Sequence, residues 1–322
     1  LLYAGSAIGA VFAGDLITLF LYWEGTAIAS VFLIWARGTT GAYHTGMRYL
    51  IIQIASGVIL LAGAVLFYNE TGSLAFERMT LGSPGTWLIF LSFGIKCAFP
   101  LLHNWLQDSY PAATVTGTVI LSAFTTKLAV YAFARMFPGQ DQLIWIGAIM
   151  TCFPVFFAVL ANDLRTVLAY STHNQIGFMI CATGVGTPLA LNGAVAHAFA
   201  DIMFKGLLFM SMGAVMYRNN NKINCTALGG LYRTMPLTCI CCIIGATSIS
   251  AVPLFSGFVS KSMVMSAAAD GHMQIIWFIL LFASVGVLEH AGIEIPFFAF
   301  FGHDSGLRPK EAPLHMLLAM GI

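Results

Sequence analysis

The chain has 322 residues, of which 59% are hydrophobic and only 8% are charged, and its net charge is +1. A soluble domain carries about 25% charged residues, so this composition excludes a soluble globule and predicts an integral membrane protein. The near-neutral charge predicts no nucleic-acid partner. The seven cysteines lie mostly in apolar runs, without ligand spacing to histidines or carboxylates. They indicate core residues and no metal site.

The chain opens on LLYAGSAIGAVFAGD, without an initiator methionine, a basic region or a cleavage motif. No signal peptide is therefore predicted. The apolar stretch before Asp15 is shorter than a bilayer core of about 30 Å requires. We expect a fragment whose first helix is truncated, and the abrupt end at MLLAMGI indicates a second truncation.

Apolar runs of spanning length, bounded by polar residues, predict ten helices. In chain order they lie near 1–14, 16–36, 46–68, 84–106, 114–135, 142–161, 165–184, 188–217, 235–265 and 272–301. The fourth and ninth contain Pro100 and Pro253, which remove a backbone donor, so both helices should be discontinuous. The expected fold is an all-α polytopic membrane protein.

One phrase occurs twice, as AFPLLHNWLQDS at 98–109 and as AVPLFSGFVSKS at 251–262. The copies lie 153 residues and five helices apart, so the second runs through the membrane in the opposite direction. Inverted repeats with interrupted helices at the midplane are typical of transporters. We therefore predict two inverted five-helix halves, 1–136 and 137–301, followed by a cytoplasmic connection and the start of a further segment over 302–322.

Loop charges predict the orientation, because cytoplasmic loops are rich in lysine and arginine. Loops on the side reached after the second helix carry Arg37, Arg48, Arg165, Arg218, Lys222, Arg233, Arg308 and Lys310. The opposite loops carry only Arg78 and Arg135. The first side is predicted to be cytoplasmic, in a cell inner membrane.

The remaining lysines, Lys96, Lys127, Lys205 and Lys261, fall within apolar helices. A lysine at the bilayer centre costs about 2.5–3.5 kcal/mol, so each must face protein or water and have partners. Glu24 follows Asp15 by nine residues, which places it about 13 Å deep. A lysine partner would keep Glu24 charged; the plainer alternative is a structural ion pair.

Lys96 precedes Pro100 by four residues, so its carbonyl loses its helical donor at a break that should line a cavity. The alternative is a kink with a snorkelling lysine. Lys127 lies midway along its helix, where a structural interhelical pair is the alternative. Lys261 aligns with Asp108 of the first phrase rather than with Lys96, and a snorkelling position remains open.

His197, Asp201 and Lys205 are spaced by four residues and share one helix face. They form a possible proton ladder; the alternative is an intrahelical Asp201–Lys205 pair beside a core histidine. The weaker candidates are His103, His173, Glu289, His290 and Glu294. No Walker loop, dinucleotide fingerprint, iron–sulfur cysteine cluster or haem motif is present, so no cofactor is predicted.

Six segments, taken together and in order, resemble one family. They are LYWEGTAIASVFL, FGIKCAFPLLHNWLQDSYPAA, FTTKLAVYAF, NDLRTVLAYSTHNQIGFM, HAFADIMFKGLLFMS and PLFSGFVSK. The chain thereby resembles the antiporter-like subunits shared by respiratory complex I and Mrp-type cation/proton antiporters. Its tail, HAGIEIPFFAFFGHDSGLRPKEAPLHMLLAMGI, is most similar to Mrp D subunits.

The resemblance implies about fourteen helices in two inverted five-helix units, of which this chain corresponds to the fourth through thirteenth. It implies that Glu24 and Lys96 are a coupling pair and that Lys127 is the next relay lysine. It implies that Lys205 and Lys261 carry the second half of the relay and that His197 is one of the relay groups. Asp201 departs from the family pattern, which usually has a second histidine there, and Glu294 stands where close relatives typically have lysine.

The expected function is proton translocation in a multisubunit Na⁺/H⁺ antiporter, with other membrane subunits and the lipid bilayer as partners. One alternative is a proton-pumping membrane subunit of a complex I-like or hydrogenase-linked enzyme, driven by redox chemistry on other chains. A second alternative is an inert membrane scaffold, for which neutralising the lysines would be harmless or even stabilising.

Overall fold

The computed structural model describes residues 1–322 and is helical throughout, with two isolated β-bridges between loops. Its helices are α1 (Leu2–Val11), α2 (Leu16–Trp35), α3 (Thr40–Thr71), α4 (Pro84–Lys96), α5 (Asn104–Ala112), α6 (Val115–Met136), α7 (Asp141–Leu160), α8 (Leu164–Val185), α9 (Pro188–Arg218), α10 (Pro236–Ile249), α11 (Ser256–Asp270), α12 (Gln274–Val287) and α13 (Leu314–Gly321). Two 3-10 turns, Cys225–Ala227 and Leu231–Arg233, precede α10, and α12 continues through π-helical turns at Leu288–Glu294 and Phe297–Phe301.

All ten predicted helices are present, and two of them are broken as expected. Six helices, counting α12 with its π-helical extension, are long and apolar enough to cross a membrane. The third helix starts at Thr40, earlier than the hydropathy predicted, because the Thr39 side chain accepts a hydrogen bond from Ala42 N and caps it. The fourth helix was wrongly predicted to end near residue 106, since α5 continues through Pro111 to Ala112.

The first break follows α4. Phe99 N donates to Gly94 O at 2.9 Å, and Ala98 N donates to Ile95 O at 3.1 Å. Ala98 and Leu101 both have left-handed backbone, with φ of 62° and 72°. Each costs a non-glycine residue about 1–2 kcal/mol, so the surrounding packing must hold the break in place.

The second break, after α10, repeats this geometry with every residue number raised by 153. Val252 N donates to Thr247 O at 3.2 Å, and Ala251 N donates to Ser248 O at 3.2 Å. Ala251 and Leu254 have φ of 58° and 79°. The repeated phrase therefore encodes a repeated backbone geometry. Because the copies lie on the fourth and ninth predicted helices, they are still predicted to run through the membrane in opposite directions.

A second recurring feature supports the repeat. The Asp15 side chain caps α2 by accepting from Ile17 N and Thr18 N, and the Asp163 side chain caps α8 in the same way. Each aspartate also forms an antiparallel bridge to a later loop, Asp15 with Ala75 and Asp163 with Asn224. The helices that follow, α2 and α8, are the second in each of the two predicted halves.

The loops rich in basic residues meet on one face of the bundle. Arg37 donates to Pro111 O at 2.5 Å, and Arg165 donates to the same carbonyl at 3.0 Å. Arg218 donates to Glu311 O at 2.9 Å on this face. On the opposite face, Arg135 donates to Ala13 O at 3.0 Å. Arg48 and Arg165 lie within α3 and α8 rather than in loops, and the sidedness of the basic loops stays a prediction.

Helices α7 and α8 pack closely enough to bury the polar stretch of α8. A Cβ atom at Gly147 would lie 2.3 Å from Cys181 N, so only glycine allows this approach. Every residue of α8 from Ser171 to Gly184 is buried as a result. That stretch includes His173, Asn174 and Gln175, which contribute to the site described next.

Candidate functional site

Lys96 ends α4 at the first break and is fully buried. Its ammonium donates to Trp23 O at 3.0 Å and to Thr26 Oγ1 at 2.8 Å, and it lies 4.2 Å from the centroid of the Trp23 ring. All three contacts come from α2. The snorkelling alternative is wrong for Lys96, because its head is held inside the protein.

Glu24 is also on α2, but its carboxylate turns toward α3. A Cβ atom at Gly57 would lie 1.6 Å from Glu24 Oε1, so the missing side chain of Gly57 creates the space for the carboxylate. Oε1 is buried without a hydrogen-bond partner. No ion pair within 4 Å joins Glu24 to Lys96 in this structure, and their predicted coupling stays a prediction.

The break itself carries hydrogen-bonding groups freed from the helix. Trp105, from α5, donates its indole N–H to Ile95 O at 3.0 Å. The carbonyl of Lys96 has no hydrogen bond within the chain, as expected from Pro100. The first break thus carries a free carbonyl on the same residue whose buried ammonium binds α2.

Lys127 on α6 forms a buried ion pair with Asp201 on α9, with 2.5 Å between Nζ and Oδ2. Its ammonium also donates to Ser122 O at 2.9 Å. Asp201 is fully buried, and its Oδ1 has no hydrogen-bond partner. The intrahelical Asp201–Lys205 pair was therefore the wrong alternative, because Asp201 turns to the ammonium of another helix.

His197 lies at the centre of a buried polar network. Its Nε2 lies 3.0 Å from Gln175 Oε1, and its Nδ1 lies 2.9 Å from Ser260 Oγ. An amide oxygen only accepts, so Nε2 carries the proton of the neutral ring and Nδ1 is free to accept from Ser260. Gln175 in turn donates to Asn174 Oδ1 at 2.7 Å. These amide and hydroxyl partners were not predicted from the sequence, in which the charged residues and histidines stood out.

Lys205 and Lys261 are the two buried lysines of the predicted second half. Lys205 donates to Leu168 O on α8 at 3.3 Å. Lys261, on α11, reaches back to Ile249 O at 2.8 Å and lies 5.2 Å from the centroid of the Phe178 ring. The snorkelling alternative is thus wrong for Lys261 too. Ile249 is the residue of the second break that corresponds to Lys96.

His103 and His173, which come from different predicted halves, lie together with ring centroids 5.2 Å apart and with Phe153 packed against both. Gln107 Nε2 donates to His173 Nδ1 at 3.0 Å, so the neutral ring carries its proton on Nε2. That Nε2 and His103 Nδ1 have no partner.

The three candidates on the last long helix differ in their surroundings. Glu289 is exposed, whereas His290 and Glu294 are buried on the π-helical turn. Both ring nitrogens of His290 and Oε2 of Glu294 have no hydrogen-bond partner. No cluster of three or more histidine, cysteine or carboxylate groups that would hold a metal ion is formed.

Fold and site together define a polytopic helical membrane protein that keeps a series of charged and protonatable groups in its interior. Residues 13–286 match the family model described as NADH:quinone oxidoreductase/Mrp antiporter, TM. The chain belongs to this family.

Among curated proteins, it is 31% identical to subunit L of NADH-quinone oxidoreductase from Escherichia coli K12, covering 85% of this chain and 48% of that protein. It is 28% identical to chain 5 of NADH-ubiquinone oxidoreductase from Loxodonta africana, covering 94% of this chain and 51% of that protein. The chain thus spans about half the length of these curated relatives.

Two solved structures are similar in fold. A chain of the Mrp complex from Dietzia sp. DQ12-45-1b has a TM-score of 0.87 and 25% identity, covering 94% of this chain and 60% of that chain. A chain of the archaeal membrane-bound sulfane sulfur reductase has a TM-score of 0.87 and 26% identity, covering 99% of this chain and 69% of that chain. Both belong to multisubunit membrane complexes.

Proposed function

We propose that the protein translocates protons as one membrane subunit of a multisubunit monovalent cation/proton antiporter, with Na⁺ as the cation. The observation that carries the proposal is the placement of four buried lysines, two beside helix breaks and one paired with Asp201. Charged groups held this deep in a membrane protein are costly, and they typically mark ion or proton pathways. The two halves, 1–136 and 137–301, would each contribute part of the path.

In this mechanism, protonation of one lysine changes the field at the next. An opposite charge within about 4–6 Å shifts a pKa by one to three units, which is about 1.4–4 kcal/mol. Glu24, Lys96, Lys127, His197, Asp201, Lys205 and Lys261 form the relay, and His103, His173 and Glu289 are secondary members. The basic face meets the cytoplasm, and the protein resides in the cell inner membrane.

The test uses the full-length protein in its complex, in everted membrane vesicles with a preformed pH gradient. Lys96→Ala and Glu24→Ala should abolish the collapse of that gradient on Na⁺ addition, measured with a fluorescent pH probe. Lys222→Ala removes an exposed loop lysine and serves as the matched control. Normal Na⁺-dependent collapse in both relay variants would contradict the proposal.

A second candidate is a proton-pumping subunit of a respiratory complex, and the similarity to subunits of NADH-quinone oxidoreductases favours it. Here proton uptake would require quinone reduction by other chains and would not respond to Na⁺. Vesicles supplied with NADH but no Na⁺ distinguish the two candidates, because only the respiratory subunit would move protons under these conditions. If the chain were an inert scaffold, replacing the lysines would leave proton movement unchanged in both assays.

A further inference from the structure

Gln53 on α3 is fully buried, and neither the oxygen nor the nitrogen of its side-chain amide has a hydrogen-bond partner. The two other buried glutamines, Gln107 and Gln175, both form side-chain hydrogen bonds. Burying an unpartnered amide is costly, and an apolar residue of the same size would avoid that cost. The relay described so far does not use Gln53, and its unused donor and acceptor indicate a role beyond packing.

Two side-chain contacts set the register of α2 against α3. Trp23 Nε1 donates to Ser56 Oγ at 3.0 Å, and Ser30 Oγ lies 2.7 Å from the Tyr49 hydroxyl. The two contacts are seven residues apart on each helix, counted forward along α2 and backward along α3. The facing surfaces are therefore antiparallel, and the residues between the two contacts meet in the corresponding order.

Gln53 lies opposite Thr26 in this register, because each is three residues inside the first contact and on the same helix face. Thr26 Oγ1 accepts from Lys96 Nζ at 2.8 Å. The same Nζ lies 4.2 Å from the centroid of the Trp23 ring, whose indole N–H reaches α3 at Ser56. The Lys96 ammonium is therefore held at the level of Gln53.

The Glu24 carboxylate lies one helical turn further along α3. Its Oε1 is 1.6 Å from the position that a Cβ atom of Gly57 would take, and Gly57 follows Gln53 by four residues. Cβ atoms four residues apart on a helix are separated by about 5–6 Å, a distance that the side chain of a glutamine spans. Rotation of the two side chains therefore brings Glu24 Oε1 within reach of Gln53 Nε2.

The unused hydrogen-bonding groups of these three residues complement one another. An ammonium has three N–H donors, and Lys96 uses two of them, to Trp23 O and to Thr26 Oγ1. Glu24 Oε1 is an acceptor without a donor. The amide of Gln53 accepts at one atom and donates at the other, so it can satisfy the ammonium and the carboxylate together.

We propose that the Gln53 amide links the Lys96 ammonium to the Glu24 carboxylate, accepting a hydrogen bond at Oε1 and donating one from Nε2. A hydrogen bond from a charged donor is about twice as strong as one between neutral groups. The link is therefore strong while Lys96 is protonated and weak once Lys96 has lost its proton. Gln53 acts as a positioning residue, and this inference rests on the proposed function.

Gln53→Met keeps the length of the side chain and removes both amide groups. In the assembled complex it should slow the Na⁺-dependent collapse of the pH gradient about tenfold or more, because hydrogen bonds to two charged groups are lost. Leu60→Met is the matched control, since it exchanges a buried apolar residue of the same helix for one of similar volume. Equal rates in the two variants, at equal amounts of assembled protein, would overturn the proposal.

The exchange variant Glu24→Gln/Gln53→Glu distinguishes a linking amide from a packing role, and it also decides the matter where Gln53→Met assembles poorly. It keeps one carboxylate and one amide at the two positions, with a carboxylate oxygen now facing Lys96. It should transport at least about tenfold faster than Glu24→Gln alone, because the charge-assisted hydrogen bonds are restored. A packing role predicts no gain, and a rate no faster than that of Glu24→Gln would overturn the proposal.

Lys96→Ala separates failure of this inference from failure of the proposed function. If Lys96→Ala is inactive while Gln53→Met transports normally, only the linking role of Gln53 is wrong. If Lys96→Ala is active, the proposed function itself fails.

Discussion

Lys127 and Asp201 lie 74 residues apart in the sequence, and their side chains meet in a buried ion pair that ties α6 to α9. These helices belong to the two predicted halves, so the pair crosses the boundary between them. Removing one partner of a buried pair leaves an uncompensated charge, which is far more costly than losing an exposed pair.

We therefore expect Asp201→Asn to destabilise the protein by about 3–5 kcal/mol, measured as a lower midpoint of thermal unfolding in detergent. Asp108→Asn is the control, because its pair with Arg48 at 3.1 Å is largely exposed and contributes about 0–1 kcal/mol. Similar midpoints for the two variants would contradict the burial argument.

Gly57→Ala should impair transport without touching any charged residue. A Cβ atom at this position would collide with Glu24 Oε1, so the carboxylate must leave its present place. A misplacement of about 1 Å in a reacting group can cost about a hundredfold in rate. Gly5→Ala is the control, since nothing lies within 4 Å of the added methyl group. An unchanged transport rate in Gly57→Ala would show that the position of Glu24 is unimportant.

Trp105→Phe should loosen the first break. The indole N–H donates to Ile95 O, which also accepts from Ala98 N, so the change removes one hydrogen bond, worth about 0.5–1.5 kcal/mol, and leaves the carbonyl with its backbone donor. Thermal unfolding in detergent measures the loss. Trp145→Phe, at a residue that is 54% exposed, controls for the change in ring size. Equal stability of the two variants would rule out a role for the indole in holding the break.

Asp15→Ala should destabilise α2 by about 0.5–2 kcal/mol through loss of its N-cap. Hydrogen bonds from the Thr18 side chain and backbone hold the pKa of Asp15 below its ordinary value. The folded-state pKa is the lower one, so the charged cap stabilises fully above the unfolded pKa of about 4. This stabilisation is lost as the pH falls through the folded pKa.

Asp15→Asn is the matched variant for the pH test, because its amide oxygen can still accept a hydrogen bond but cannot ionise. The difference in unfolding midpoint between the native protein and Asp15→Asn should be constant near neutrality and should shrink below about pH 4. If the difference in unfolding midpoint did not depend on pH, the charge of Asp15 would be excluded as the source of the added stability.

The helices and both breaks could be predicted because hydropathy and proline act locally. The four lysines could be recognised for the same reason, because a charged residue within an apolar run is identified from the sequence without knowledge of its partner. The partners could not be predicted from spacing. Asp201 is four residues from Lys205, yet rotation about its side chain directs the carboxylate to Lys127 on another helix.

Uncharged polar partners were hardest to foresee. Gln175 and Ser260 lie 22 and 63 residues from His197, and neither disturbs the hydropathy of its helix enough to attract notice. Whether Glu24 and Lys96, the implied coupling pair, touch each other also depends on the direction in which the Glu24 side chain leaves α2. Close packing, as at Gly57, determines these side-chain directions, and a single sequence does not reveal them.

Lys96 and Lys261 stand on opposite sides of their breaks in the sequence, yet both ammonium groups are held where a helix has been interrupted. Lys261 binds the carbonyl of Ile249, the counterpart of Lys96. The two breaks therefore share their backbone hydrogen bonds while the lysine comes from before the break in one copy and from after it in the other. Alignment of the two phrases by position pairs Lys261 with Asp108, whereas the carbonyl that Lys261 binds belongs to the counterpart of Lys96.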